Sequence, residues 1–255
     1  VETVIPYYER FLSELPTVKD LAEADEEVLL KLWSGLGYYS RVRNMQKAAR
    51  QVMADFDGQL PSTSQSLQSL AGIGPYTAAA IASISFNEVV PALDGNMFRV
   101  FARLLKIEAD IAQPKSRKTF YDIILPIVDP ERPGDFNQAV MDLGTSLMST
   151  KTETLSDSPF ARFNLSYQEG VELTFPIKSK KVKQVQKFYA AIISENDGSL
   201  AYTQRPKTGL LANFWTYPLV EFDSWDAIYD GVSEHFEAAK QLNITPITHI
   251  FTHQK

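Results

Sequence analysis

The chain has 255 residues, enough for one or two domains, and at 44% hydrophobic and 22% charged it reads as a soluble globular protein with apolar material for more than one core. No apolar run approaches the ~20 residues that span a bilayer, and the lack of cysteine excludes disulfides, thiolate metal sites and a cysteine nucleophile. The net charge of -6 argues against a generally basic nucleic-acid-binding surface, so contact with phosphates would have to rest on a local cationic patch or on backbone N–H groups.

The first ~165 residues read as helical from the spacing of their apolar positions. Val18 to Trp33 has Leu21, Ala22, Val28, Leu29, Leu32 and Trp33 at helical spacing, and Ser40 to Phe56 repeats the pattern with Val42, Met45, Ala48, Ala49 and Val52. A short helix is expected over Ser64 to Leu70, then a small-residue helix over Pro75 to Phe86. Further helices are expected over Gly95 to Leu105, Ser116 to Val128 and Phe136 to Leu147. After about Asn164 the character changes. A lysine-rich stretch leads into β-type patterning, with strands expected over Phe188 to Ser194, Ser199 to Arg205, Phe214 to Phe222 and Pro246 to Thr252, and a helix over Trp225 to Leu242. Asn196-Asp197-Gly198 marks a hairpin turn. The expected organisation is an all-α helix–hairpin–helix domain at 1–165, a linker at 166–184 and an α+β domain at 185–255.

The most informative string is Leu70-Ala71-Gly72-Ile73-Gly74-Pro75-Tyr76-Thr77-Ala78. Two glycines flank one aliphatic residue and permit a tight turn, and Pro75 suits the first helical position, where its missing N–H is not needed. The free N–H groups and the helix dipole then form an anion site that a DNA phosphate fits. A bare Gly-x-Gly would be an ordinary corner; with Pro-Tyr-Thr-Ala the string is far more specific. Asp94 opens the next helix and lies 18 residues beyond Tyr76, so one intervening helix can return it to the hairpin. A helix-opening Asp is commonly an N-cap. Beside DNA, a fixed carboxylate also has a chemical use, because cleaving an N-glycosidic bond builds positive charge on the sugar.

With these residues the chain closely resembles the MutY family of adenine DNA glycosylases, within the helix–hairpin–helix glycosylase superfamily. The likeness continues through Leu32 to Asn44, Phe136 to Gly144 and Thr208 to Trp215. It implies excision of adenine from double-stranded DNA carrying 8-oxoguanine:adenine mispairs; a monomer is expected, with the bacterial-type cytoplasm as the default location. Asp94 is then the carboxylate that stabilises the cationic sugar and assists attack on it, with Asn96 and Tyr76 positioning the reacting groups. Related enzymes with lyase activity place a Lys at the Tyr76 position; Tyr cannot form a Schiff base, so a monofunctional enzyme is expected. Gly72, Ile73 and Gly74 resemble the phosphate-binding hairpin, and Tyr38 the wedge that enters the base stack. Arg41 and Arg43 are either phosphate contacts or solvated helix charges, and Gln138 resembles a residue of the adenine pocket. The second domain resembles a Nudix-like fold without the acidic hydrolase pattern, and Phe251-Thr252-His253 matches the Phe-Ser-His loop that reads 8-oxoguanine. His249 and His253 lack a third ligand, so no metal site is expected.

Three departures carry expectations of their own. The family's iron–sulfur cysteines, C-x6-C-x2-C-x5-C, fall here on Met148, Leu155, Ser158 and Asn164, so no cluster is expected and Met148, Leu155, Phe160 and Phe163 are expected to close the loop by packing. The family's general-acid Glu lies in a segment upstream of Val-Glu-Thr-Val-Ile-Pro-Tyr that the sequence does not include. General acid catalysis contributes about 10²–10⁴-fold, so the alternative expectation is a lesion-binding fragment with impaired excision. The sequence also stops two residues past His253, which makes the lesion-reading domain incomplete on this reading.

Overall fold

A computed structural model describes residues 3–150, 158–179, 186–209, 211–228, 231 and 247. The chain divides into two compact units, residues 1–180 and 181–255. Phe251, Thr252, His253 and all but Ile247 of the strand expected from Pro246 lie outside the described residues, as do Leu155 and most of the helix expected after Trp225. No described helix is long and apolar enough to cross a membrane.

The first unit is helical. It opens with α1 (Ile5–Glu14), α2 (Val18–Glu23) and α3 (Glu26–Leu32). The single helix expected over Val18 to Trp33 is thus two. Ala24 is extended (ψ 144°) and Asp25 at the N-cap starts a new helix, while Thr17 and Asp20 close a reciprocal capping box at the first. Next comes α4 (Ser40–Asp55), the longest helix among the described residues, with Val42, Ala48, Ala49 and Val52 on its buried face. The helix expected over Ser64 to Leu70 is only α5 (Ser64–Leu67), capped by the Thr63 side chain.

Two helices then match the sequence reading end for end, α6 (Pro75–Phe86) and α7 (Gly95–Leu105). Both stop on a left-handed residue, Asn87 and Lys106. The last two long helices begin earlier than their apolar patterns suggest, because each starts on a proline: α8 (Pro114–Ile124), extended by a 3₁₀ turn at Leu125–Ile127, and α9 (Pro133–Thr145).

The helical unit does not stop at residue 165, where the sequence suggests a linker. Short turns at Ala161–Phe163, α10 (Leu165–Gln168) and Glu172–Thr174 remain on it. Ser166 is fully buried, and Tyr167 and Val171 pack against the core that α7, α8 and α9 build around Met97, Val100, Phe120 and Ile124. A second core lies between α4, α5 and α6 and includes Ala48, Val52, Leu67, Ala78, Ala82 and Ala92. Its small residues allow close packing, and the start of α9 closes on the end of α6: a Cβ on Gly134 would lie 2.8 Å from the Ile84 backbone.

The described part of the second unit consists of short antiparallel pairs. β1 (Phe188–Ala191) pairs with β6 (Leu219–Phe222), with Phe188 opposite Phe222. β2 (Glu195–Asn196) and β3 (Ser199–Leu200) form the expected hairpin, with both turn residues, Asp197 and Gly198, at positive φ. β4 (Thr203–Gln204) pairs with β5 (Trp215–Thr216). The single strand expected over Phe214 to Phe222 is therefore split at Tyr217-Pro218, and residues 225–228 begin a helix.

Candidate active site and nucleic-acid interface

The turn between α5 and α6 is a compact hairpin. Ser69 and Leu70 donate back to the carbonyls of Ser66 and Leu67, and Ile73 donates to Leu70. Gly72 has φ +76°, and a Cβ on it would lie 2.6 Å from the Asn44 Cβ on α4. Glycine is therefore required there twice over, by conformation and by space. Gly74 differs: it is the extended N-cap of α6 (φ −84°, ψ 176°), and its Cβ would meet nothing within 4 Å. The open side of Gly74 faces away from the protein's own atoms. Pro75 has no N–H, and Ala78 is the first residue of α6 to donate to a backbone carbonyl, that of Gly74. The N–H groups of Gly72, Gly74, Tyr76 and Thr77 take no partner among the described residues. They offer an anion several donors and the positive end of a 12-residue helix dipole.

Asp94 is the N-cap of α7 and only half-exposed. Its Oδ1 accepts from the Met97 N–H at 2.7 Å, and its Oδ2 accepts from Asn96 Nδ2 at 2.9 Å. The helix start fixes the carboxylate, and one bond to each oxygen leaves further lone pairs free. Behind it, Arg99 donates to Asn96 Oδ1 (2.7 Å), Gly144 O (2.5 Å) and Met148 O (2.8 Å). Burial lowers the Arg99 pKa, and the nearby Asp94 opposes that shift. Tyr76, on the first turn of α6, donates to Met141 Sδ of α9 at 3.4 Å. Burial raises its pKa and the Asp94 charge adds to the rise, so the phenol stays protonated at neutral pH. Asp94, Asn96 and Tyr76 are thus brought together, at the junction of α6, α7 and α9.

The segment before Asp94 is held by groups that the sequence does not single out. Asn137 on α9 is fully buried; its Oδ1 accepts from the Ala92 N–H, and its Nδ2 donates to Val90 O and Ser83 Oγ, each at 2.9 Å. Arg117 on α8 donates to the Leu93 carbonyl at 3.1 Å. Gly144 lets α9 approach α7: a Cβ there would lie 2.6 Å from the Asn96 Cβ. These contacts span 24 to 54 residues, and the sole signal in the sequence is a polar residue within an otherwise apolar helix face.

Tyr38 stands in the left-handed region (φ 49°) between α3 and α4, 60% exposed. The Arg41 guanidinium lies 4.7 Å from its ring centroid, and Trp33 Nε1 donates to Gly37 O at 2.9 Å, bracing the loop. Arg43 is tied to Glu26 at 2.7 Å, so of the two arginines it is the one whose charge is largely neutralised. Gln138 is exposed on α9, beside the buried Asn137.

The positions of the family's cluster cysteines do not suit a cluster. Met148 is fully buried, and its carbonyl takes the Arg99 Nε and Arg103 Nη1 donors. The Ser158 hydroxyl accepts from Phe160 N–H, and Asn164 caps α10 through Tyr167 N–H and Ser166 Oγ. None is a thiolate and the serine and asparagine side chains are engaged in turns, so no role in holding iron follows. Phe160 and Phe163, expected to pack, are 39% and 57% exposed, with Arg162 over the Phe163 ring. Instead Arg103, itself buried, gathers the carbonyls of Met148, Ser149, Glu172 and Phe175. Burial and the neighbouring Arg99 push its pKa down to about 10, which leaves it charged at neutral pH.

Residues 1–125 match the family model described as HhH-GPD superfamily base excision DNA repair protein. An adenine DNA glycosylase of Arabidopsis thaliana is 35% identical, over 99% of this chain and 48% of the relative; one of Rattus norvegicus is 32% identical, over 100% and 60%. The chain thus spans about half to three-fifths of the length of these relatives. Among solved structures, a thermostable thymine-DNA glycosylase superposes with TM-score 0.60 at 20% identity, over 65% of this chain and 76% of that one. A non-covalent endonuclease III–DNA complex superposes with TM-score 0.57 at 19% identity, over 66% and 78%. At such identities these likenesses establish the fold of the helical unit.

Proposed function

We propose that this chain, whose residues 1–125 match the HhH-GPD superfamily of base excision DNA repair proteins, is a DNA glycosylase that hydrolyses the N-glycosidic bond of adenine mispaired with 8-oxoguanine or guanine. The observation that carries the reading is Asp94, held as a fixed anion by Met97 and Asn96 beside a helix-terminal anion site. The curated relatives bear the name adenine DNA glycosylase, and they supply the choice of base.

The hairpin N–H groups take a backbone phosphate, and Tyr38 enters the stack where the adenine leaves it. As the C1′–N9 bond breaks, its electron pair leaves with adenine, which takes up a proton from solvent. The sugar becomes cationic and Asp94 stabilises it. Water then adds at C1′, and Asp94 is placed to receive its proton. Asn96 and Tyr76 position the carboxylate and the base, and Gln138 contacts the adenine. Tyr76 supplies a hydroxyl and no amine, so excision proceeds without a Schiff base and without efficient strand cleavage. The second unit is assigned a Nudix-like fold that reads 8-oxoguanine through Phe251, Thr252 and His253, and the protein acts as a monomer without an iron–sulfur cluster.

The test uses duplexes bearing 8-oxoguanine:A, G:A and T:G, with abasic sites revealed by alkali. Adenine release from the first two alone is expected. No release from either adenine-containing duplex overturns the enzymatic reading, and tight lesion binding without release would instead identify a lesion-holding protein.

A further inference from the structure

Helix α4 carries three side chains in a row toward the hairpin: Asn44, Ala48 and Gln51, at helical spacing. Asn44 fills the space that the missing Gly72 Cβ leaves, and Ala48 is buried in the core shared with Leu67 and Leu70. Gln51 makes the polar contacts. Its Oε1 accepts from the Ala71 N–H at 2.7 Å, and its Nε2 reaches the Ser69 carbonyl at 3.4 Å. One amide thus grips the hairpin from both of its hydrogen-bonding ends, 18 and 20 residues away in the chain.

The consequence lies in which N–H groups remain free. Ser69, Leu70 and Ile73 donate within the turn, and Ala71 donates to Gln51. That leaves Gly72 and Gly74, which bracket Ile73, as the hairpin donors open to an outside acceptor. Without Gln51, the Ala71 N–H would also seek an acceptor, and the turn from Ser69 to Ala71 would lose its polar hold on α4. The same helix begins at Ser40, directly after the Tyr38 loop. The rise from residue 40 to residue 51 is roughly 16 Å at 1.5 Å per residue, so one rigid helix spaces the exposed tyrosine from the phosphate donors.

We infer that Gln51 is a positioning residue for DNA binding: it fixes the hairpin on α4, so that the Gly72 and Gly74 N–H groups converge on one phosphate at a set distance from Tyr38. The inference rests on the hairpin being the phosphate site in the reading above. Gln51→Met keeps the side-chain length and removes both hydrogen bonds. Affinity for a G:A duplex is expected to fall about tenfold at low salt. The slope of log K against log salt should lose about one phosphate's worth, a change that a loss of stability alone does not produce.

Gly74→Asp serves as the control, because a side chain fits there and its charge repels a phosphate. If Gly74→Asp leaves binding unchanged, the hairpin reading fails. If Gly74→Asp weakens binding while Gln51→Met changes neither affinity nor slope, the inference about Gln51 alone is overturned. Amide exchange in the unmodified protein gives a result even if the variant does not fold. Ala71 is expected to be protected in free protein, with Gly72 and Gly74 gaining protection on addition of duplex; rapid exchange at Ala71 overturns the inference.

Discussion

Arg99 determines which way the Asn96 amide faces. By donating to Asn96 Oδ1 at 2.7 Å, it leaves Nδ2 as the end that meets Asp94. The reverse orientation would set an amide oxygen against the carboxylate and two donors against each other. Arg99→Met removes this constraint and also leaves the Gly144 and Met148 carbonyls without that donor. Excision is expected to slow about tenfold in single-turnover assays with little change in duplex affinity, and the melting transition to fall by roughly 1–3 kcal/mol. Unchanged turnover would show that the Asn96 orientation is immaterial.

Asp94→Asn separates chemistry from architecture. Asparagine caps helices about as well as aspartate, so the bond from Met97 is retained; its amide nitrogen then faces the Asn96 Nδ2 donor, and a stability loss of about 1–3 kcal/mol is expected. The anion is lost, and excision is expected to fall by about 10²–10³-fold or more, with duplex binding retained. Calorimetry and single-turnover rates measured on one preparation check both halves.

The two hairpin glycines should respond differently to one methyl group. Gly72→Ala meets both the positive φ and the Asn44 side chain, and is expected to cost roughly 1–3 kcal/mol. Gly74→Ala enters open space at an ordinary backbone angle and should leave thermal stability nearly unchanged. Equal losses in denaturant unfolding would contradict the geometry.

The unequal legibility of the sequence follows the same physics. Helices α6 and α7 were legible to the residue because proline and Asp94 mark their starts and short polar or cationic residues their ends. Asp94 and Tyr76 could be linked because a single helix and a short strap separate them. By contrast, the break at Ala24-Asp25 sits inside an unbroken apolar period, where one backbone angle decides and periodicity is silent. Arg99 and Arg103 lie four apart on α7 and nothing in their spacing names their partners; the carbonyls that bury them come from residues 144–149 and 172–175. Asn137 and Gln51 act likewise across long separations, where composition carries no information about partners.

Asp110 provides an acid-sensitive hold on residues 177–179. Hydrogen bonds from Ser179 and the Ala112 N–H draw its pKa from 3.8 to about 2. A folded value below the unfolded one means that the stabilisation is present above pH ~4 and is lost as pH falls toward 2. Between those values, the melting temperature of the unmodified protein should drop more steeply than that of Asp110→Asn. Parallel curves would argue against the hold.

Purified protein is expected to contain no iron or acid-labile sulfide, and chelation should leave excision unchanged. Met148→Ala, at a fully buried site, should cost roughly 2–5 kcal/mol. Stoichiometric iron by elemental analysis would overturn this account.

The contact between Gly144 and Asn96 bears on how sequence variants of this protein should be judged. By side-chain chemistry, glycine to alanine in a helix is a mild change that even favours the helix. Here the added methyl would be driven into the residue that orients Asp94. A ranking by substitution class would pass such an allele as benign, whereas the helix crossing marks it as a disturbance of the Asp94 carboxylate.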